Sequence, residues 1–282
     1  MPKTRWFYPV LILLLLIMTC KKDVQSDAQR YVVLSPEVAE ILVAIGAGER
    51  IVGVTEECNE PELLKSITRV GKFGMVDREK IISLQPSLIF CSGLEQEALA
   101  DEFTKLGYKC HVYYPTSLKA MYEGIVTLGT LTQLTENAKA VADSIQSQIS
   151  AIQIKLGEKR KPRVYLEIYR DPLMSVSNAS LVGELIAAAG GENIFPTLER
   201  DYARVKAEDV LSGSPDVMIC YSQDTLANVL SRKGWQKVPA IRDKRVYFEA
   251  DINPDWLLRA GPRISLGINA LYQILYGDES GS

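Results

Sequence analysis

The residues able to do chemistry in this chain are few. It contains one histidine, His111, so a multi-histidine metal site cannot be assembled, nor a histidine-based triad unless His111 is its base. His111 stands between Cys110 and an apolar run, which reads as a packed or edge-strand histidine rather than a general base. No Gly-x-Ser-x-Gly elbow and no His-Glu-x-x-His string occurs. Gly46–Gly48 and Gly190–Gly191 lack the spacing and the following acid of a dinucleotide site. A hydrolase is therefore disfavoured against a binding protein. What remains is carboxylate, cysteine and aromatic chemistry. Two glutamates stand out, because Glu79 and Glu208 open two gapless strings, EKIISLQPSLIFC to Cys91 and EDVLSGSPDVMIC to Cys220. The repeat sets them at equivalent points, where a first-turn glutamate is favoured by the helix dipole alone.

Cys20 has a different context from the other four cysteines. Lys3 and Arg5 precede an apolar stretch from Trp6 to Met18, interrupted by Pro9 and shorter than the roughly 20 residues a membrane helix needs. The stretch reads as a secretory signal, and Ile17-Met18-Thr19-Cys20 resembles a bacterial lipoprotein signal in which Cys20 is lipidated. The expected organisation is a signal peptide over 1–19 and a polar tether over 20–30. An exported location allows disulfides among Cys58, Cys91, Cys110 and Cys220. Cys58 with Cys91 is plausible at adjacent strand ends, Cys91 with Cys220 is doubtful because it would pin two repeats together, and buried free thiols are the alternative. With 47% hydrophobic and 24% charged residues the chain is globular, and a formal charge of −3 gives no footing for nucleic acid.

The repeated strings imply the elements that carry these residues. Each reads as a short helix, a proline-terminated turn and a buried strand. A second echo precedes each: EILVAIGAGERIV from Glu40 and ELIAAAGGENIF from Glu184, an apolar helix, a glycine cap and a short strand. Each half therefore reads as strands alternating with helices, the pattern of a parallel α/β sheet. The expected strands cover 31–34, 51–54, 88–91 and 109–113, then 163–168, 193–195, 217–220 and 245–248. No proline interrupts the stretch between Pro115 and Pro162, where apolar spacings of three and four predict helices over 117–132 and 135–158, the second capped by Thr135. The expected architecture is two Rossmann-like lobes, 31–116 and 161–282, joined by connecting helices over 117–160, with ligand between them.

This arrangement resembles the helix-linked periplasmic binding proteins that feed ABC importers. Gly53-Val54-Thr55, Cys58-Asn59, Pro61, the string Val70-Gly71-Lys72-Phe73-Gly74, Glu79 and Pro86-Ser87-Leu88-Ile89 resemble the cobalamin-binding branch. Asp255-Trp256-Leu257-Leu258-Arg259 followed by Pro262-Arg263 is the most specific string, and the likeness spans residues 31–276. The resemblance implies that Phe73, Tyr202 and Trp256 form aromatic walls for a corrin ring, with Asp255 and Arg259 bonding to its amide edge. A buried core tryptophan and a helical i,i+4 pair are the plainer accounts of Trp256 and of Asp255 with Arg259. It further implies that Glu79 and Glu208 dock on the permease dimer, which works with its ATPase. The protein is then a monomeric, non-enzymatic lipoprotein of the cell envelope, anchored to the membrane through Cys20, with no cofactor or metal of its own. Glu56-Glu57 and Ser92-Gly93 stand where the branch often has aromatics, which leaves haem or an iron siderophore as the alternative ligand. Free-metal binding is excluded by the lone histidine.

Overall fold

The two repeated strings fold alike. In the computed structural model, which describes residues 29–221 and 223–277, the first repeat gives a helix over Arg78–Ser83 and a strand over Leu88–Ser92. The second gives a helix over Ala207–Gly213 and a strand over Val217–Cys220. The preceding echo is equally exact in kind: Gly46 and Gly190 both end helices with positive φ, +91° and +88°. That left-handed conformation is one glycine adopts without the Cβ penalty of other residues. The signal, Cys20 and most of the tether fall outside the described residues.

In chain order the first lobe comprises β1 (Tyr31–Val33), α1 (Pro36–Ala44), β2 (Ile51–Val54), β3 (Gly71–Lys72), β4 (Met75–Val76), α2 (Arg78–Ser83), β5 (Leu88–Ser92), α3 (Glu97–Lys105) and β6 (Cys110–Tyr113). Two helices follow, α4 (Leu118–Leu131) and α5 (Thr135–Leu156). The second lobe begins with β7 (Arg163–Glu167), β8 (Tyr169–Arg170), β9 (Leu173–Val176), α6 (Leu181–Ala188), β10 (Glu192–Asn193), β11 (Tyr202–Arg204), α7 (Ala207–Gly213) and β12 (Val217–Cys220). It ends with α8 (Leu226–Ser231), α9 (Pro239–Arg242), β13 (Val246–Tyr247), α10 (Pro254–Leu258) and α11 (Ile264–Tyr276). The main sheets are wholly parallel and share one order, β2-β1-β5-β6 and β10-β7-β12-β13. Short polar residues start many of the helices: Ser35, Asp77, Ser117, Ser180 and Thr225 each accept a bond from the backbone N–H three residues on. Thr135 differs from expectation. It is the first helical residue of α5, and Leu134 occupies the cap position without a side-chain bond.

Three features lie outside the expected alternation. β3 and β4 form a small hairpin, β8, β9 and β11 form an antiparallel sheet, and α11 closes the chain. The strand expected over 193–195 is Glu192–Asn193.

Alternating side chains divide the first sheet's two faces. Val32, Ile89 and Cys91 pack with Ala100 and Phe103 of α3. Tyr31, Val33 and Phe90 face the other way, into a core that continues through α1, α4 and α5 to Leu166, Leu185 and Leu271 of the second lobe. The same division separates Cys58 from Cys91, which pack in clusters on opposite faces. The plausible Cys58–Cys91 bridge is thereby corrected: Cys58, Cys91, Cys110 and Cys220 are all free thiols. Burial pushes Cys58 up to about 11 and Cys91 up to about 12, so both are protonated and poorly reactive at neutral pH. His111 lies on the edge strand β6 with its ring edge-on to Phe90, and burial lowers its pKa, leaving it uncharged at neutral pH.

Candidate functional site

Parallel strands deliver their following loops to one edge, where ligands of α/β sheets are commonly held. Here the residues after β1, β5 and β6 meet second-lobe residues around a cavity of about 510 Å³. Glu37 lies in the first turn of α1, Ser92 and Tyr113 end β5 and β6, Gly93 and Tyr114-Pro115 follow them, and Ile168, Leu181, Leu258 and Ala260 face them.

Two aromatic side chains reach the cavity on the unexpected elements. Phe73 lies at the tip of the β3–β4 hairpin, whose register pairs Lys72 with Met75 and leaves Phe73-Gly74 as the loop. The hairpin is held from both sides: the Phe73 N–H donates to Glu57 Oε2 at 2.9 Å, and the Phe73 carbonyl accepts from Gln96 Nε2 at 2.9 Å. Gln96 is buried, and its Oε1 accepts from the Ser92 N–H at 2.8 Å. Tyr202 is brought in by β11, opposite Val176 of β9. Burial, followed by the neighbouring Tyr114, Asp201 and Glu37, pushes its phenol well above the ordinary range. Gly93 leaves room for Tyr114, since a Cβ there would collide with the Tyr114 side chain.

At the cavity floor Glu37 accepts from Ser92 Oγ at 3.2 Å. Burial pushes its carboxyl up from its ordinary value, against the pull of its own backbone N–H, the Ser35 and Ser92 hydroxyls and the Arg259 charge. The loop positions that depart from the aromatic pattern thus have local uses: Glu57 positions Phe73, and Ser92 binds Glu37.

The periplasmic binding protein family matches residues 32–252. The chain belongs to that family. It is 26% identical over 263 residues to an uncharacterized ABC transporter substrate-binding lipoprotein, YvrC, of Bacillus subtilis, covering 90% of this chain and 82% of the relative. It is 26% identical over 245 residues to a vitamin B12-binding protein of Vibrio vulnificus, covering 86% and 88%. Among solved structures, the vitamin B12-binding protein BtuF of Vibrio cholerae superposes with a TM-score of 0.76 at 24% identity, covering 89% of this chain and 98% of that one. The haem-binding protein RhuT of Roseiflexus sp. RS-1 gives 0.76 at 23%, covering 87% and 98%.

As in a two-lobed binding protein generally, what joins the lobes matters as much as the cavity. Glu40 of α1, nearly fully buried, accepts from Arg263 Nε at 2.8 Å and Nη2 at 2.6 Å, and from Arg259 Nη1 at 3.2 Å. Asp255 completes the cluster, 3.1 Å from Arg259 and 3.7 Å from Arg263. Tyr113 Oη donates across the lobes to the Ala260 carbonyl at 2.8 Å. The Leu118 N–H, at the start of α4, donates to Glu184 of the second lobe at 2.7 Å.

Of the residues expected at the site, Phe73 and Tyr202 therefore line the cavity. Asp255 and Arg259 are engaged in the junction cluster, with Arg259 close enough to act on Glu37. Trp256 is half-buried on α10 outside the lining, where Leu258 contributes instead. Glu37 and Glu57 were not anticipated; the signal for Glu37 is its place just beyond the carboxyl end of β1. Glu79 and Glu208 are each the second residue of their helix, exposed, and in no ion pair among the described residues.

A larger cavity, about 840 Å³, lies wholly on the second lobe, bounded by Glu208, Leu211, Arg232 and Trp235. Its wall is a buried ion cluster in which Arg232 binds Glu167 at 2.6 Å and also pairs with Asp224. Despite its size, its described lining includes no first-lobe residue, which makes the inter-lobe cavity the stronger candidate in a two-lobed fold.

Proposed function

We propose that this protein is the substrate-binding lipoprotein of an ABC importer, capturing cobalamin or a related corrinoid between its lobes. The observation that carries the reading is the cavity lining: aromatic faces from both lobes, two carboxylates (Glu37 and Glu95) and, among the described residues, no lysine or arginine. A corrin ring offers broad apolar faces and an edge of uncharged amides, which suits aromatic walls and acidic acceptors. Haem carries carboxylates, and these would meet Glu37 and Glu95 without a cation in the lining to receive them. Curated relatives that bind vitamin B12 support the corrinoid.

Haem is the second reading, favoured by the phenols of Tyr114 and Tyr202, since tyrosine can ligate haem iron. Burial raises both phenols and no basic side chain counters it, which opposes the phenolate that such a ligand requires. A corrinoid exceeds about 510 Å³, so with lobes joined by a shared core part of the ligand remains in solvent at the cavity mouth. Phe73 and Tyr202 supply the walls, while Arg259 and Asp255 hold the floor in place. Glu79 and Glu208 dock on the two permease subunits, and Cys20 anchors the chain at the outer face of the membrane.

Titration with cyanocobalamin and with haemin, followed by calorimetry and tryptophan fluorescence, tests the ligand. Cyanocobalamin should bind, and Phe73→Ala and Tyr202→Ala should each weaken it roughly fivefold to thirtyfold, the 1–2 kcal/mol of a lost aromatic contact. Heat and quenching with haemin alone would transfer the site to the second reading.

A further inference from the structure

Glu37 is set apart from the other cleft acid, Glu95, by its surroundings. Glu95 is exposed at the rim, whereas Glu37 is partly buried at the floor, on the first turn of α1 behind the Ser35 cap. Its Oε1 is committed to Ser92 Oγ. Its field reaches Tyr113 of β6, Tyr202 of β11 and Cys58, and Arg259 reaches it in turn. Arg259 is already neutralised by Glu40 and Asp255, so it does not turn the floor into a site for anions.

We propose that Glu37 is the specificity-determining residue of the cleft, accepting an uncharged amide at the ligand's edge and rejecting a carboxylate placed there. The inference rests on the corrinoid reading above. An amide complements a carboxyl group in either protonation state: its N–H₂ donates to a carboxylate, and its C=O also accepts from a neutral acid. A ligand carboxylate has no such freedom, because meeting an ionised Glu37 opposes two like charges away from bulk water. The aromatic walls accept many flat ligands, so discrimination among them falls to the polar floor.

The test uses cyanocobalamin and its isomeric monocarboxylates, in which one propionamide of the corrin rim is hydrolysed to an acid. Wild-type protein should bind at least one isomer about tenfold or more weakly than the parent, the scale of one charged contact. Glu37→Gln should weaken the parent only a few-fold, about the difference between a charge-assisted and a neutral hydrogen bond, and bring that isomer to within about threefold of the variant's own affinity for the parent, since the isosteric amide still accepts the ligand's N–H but carries no charge. Glu37→Asp, which keeps the charge, should retain the discrimination. Circular dichroism melts of each variant establish that it is folded. Equal affinity of the wild type for parent and all isomers overturns the inference and leaves the corrinoid reading standing. So does discrimination that survives Glu37→Gln. Failure of the wild type to bind cyanocobalamin at all removes the corrinoid reading and this inference with it.

Discussion

Glu37 also has a thermodynamic signature separate from binding. Its folded pKa is raised above the ordinary 4.5, chiefly by burial. Such a group's contribution to stability is fully present below the unfolded value and is lost as pH rises through the folded one. Glu37→Gln should therefore melt like the wild type near pH 4 and higher at pH 8. The gain should appear only as pH rises through the folded pKa, because it is the charged form that burial penalises. A melting difference that does not grow with pH would remove burial of the charge as the cause. Residue roles were unevenly legible in the sequence. Phe73 was found because Gly71 and Gly74 flank it and the family string runs through it. Glu37 reads as an ordinary first-turn acid after Ser35-Pro36, and only the sheet's topology puts it at the cavity. Asp255 and Arg259 were legible as a pair, but Glu40, far back in the sequence, decides what the pair does, and no local pattern announces that contact.

Among elements, the matched glycine turns after α1 and α6 allow a controlled comparison. At Gly46 a Cβ would approach nothing nearer than Asn137 Nδ2 at 3.6 Å, so Gly46→Ala should cost only the backbone strain, about 1 kcal/mol. At Gly190 a Cβ would run into the Leu156 methyl of α5 and the Tyr276 hydroxyl of α11, so Gly190→Ala should cost more, about 2–4 kcal/mol. Urea denaturation of both variants measures the difference, and equal losses would mean that α5 and α11 yield freely at that turn. The two parallel sheets were legible because the repeats carry them: apolar strands, proline breaks and glycine caps recur in step. The β3–β4 hairpin and the β8-β9-β11 sheet were not, because strands of two to four residues in loops carry too little period to read. They are nevertheless the elements that bring Phe73 and Tyr202 to the cavity. α11 has a readable apolar spacing at Ile264, Ile268, Leu271 and Leu275, but it has no counterpart in the first half and so lies outside the repeat.

For the whole molecule, the shared sheet order sets α2 and α7 in equivalent places and gives Glu79 and Glu208 equivalent starts on them. Replacing either glutamate with alanine should weaken co-elution with the detergent-solubilised permease, and replacing both should abolish it. Cyanocobalamin affinity should stay unchanged throughout. Full complex formation by the double variant would take the docking role from these residues. The matching halves, however, are not two separable proteins. The apolar face of α1 packs in one core with α5, α6 and α11, and Glu40 has its arginine partners in the other lobe. A first half released on its own would leave the Glu40 carboxylate, buried in the whole chain, without its arginine partners. Calorimetry of the chain should therefore show one cooperative transition rather than two, and two separate transitions would mean that the boundary so clear in the repeat also divides the molecule.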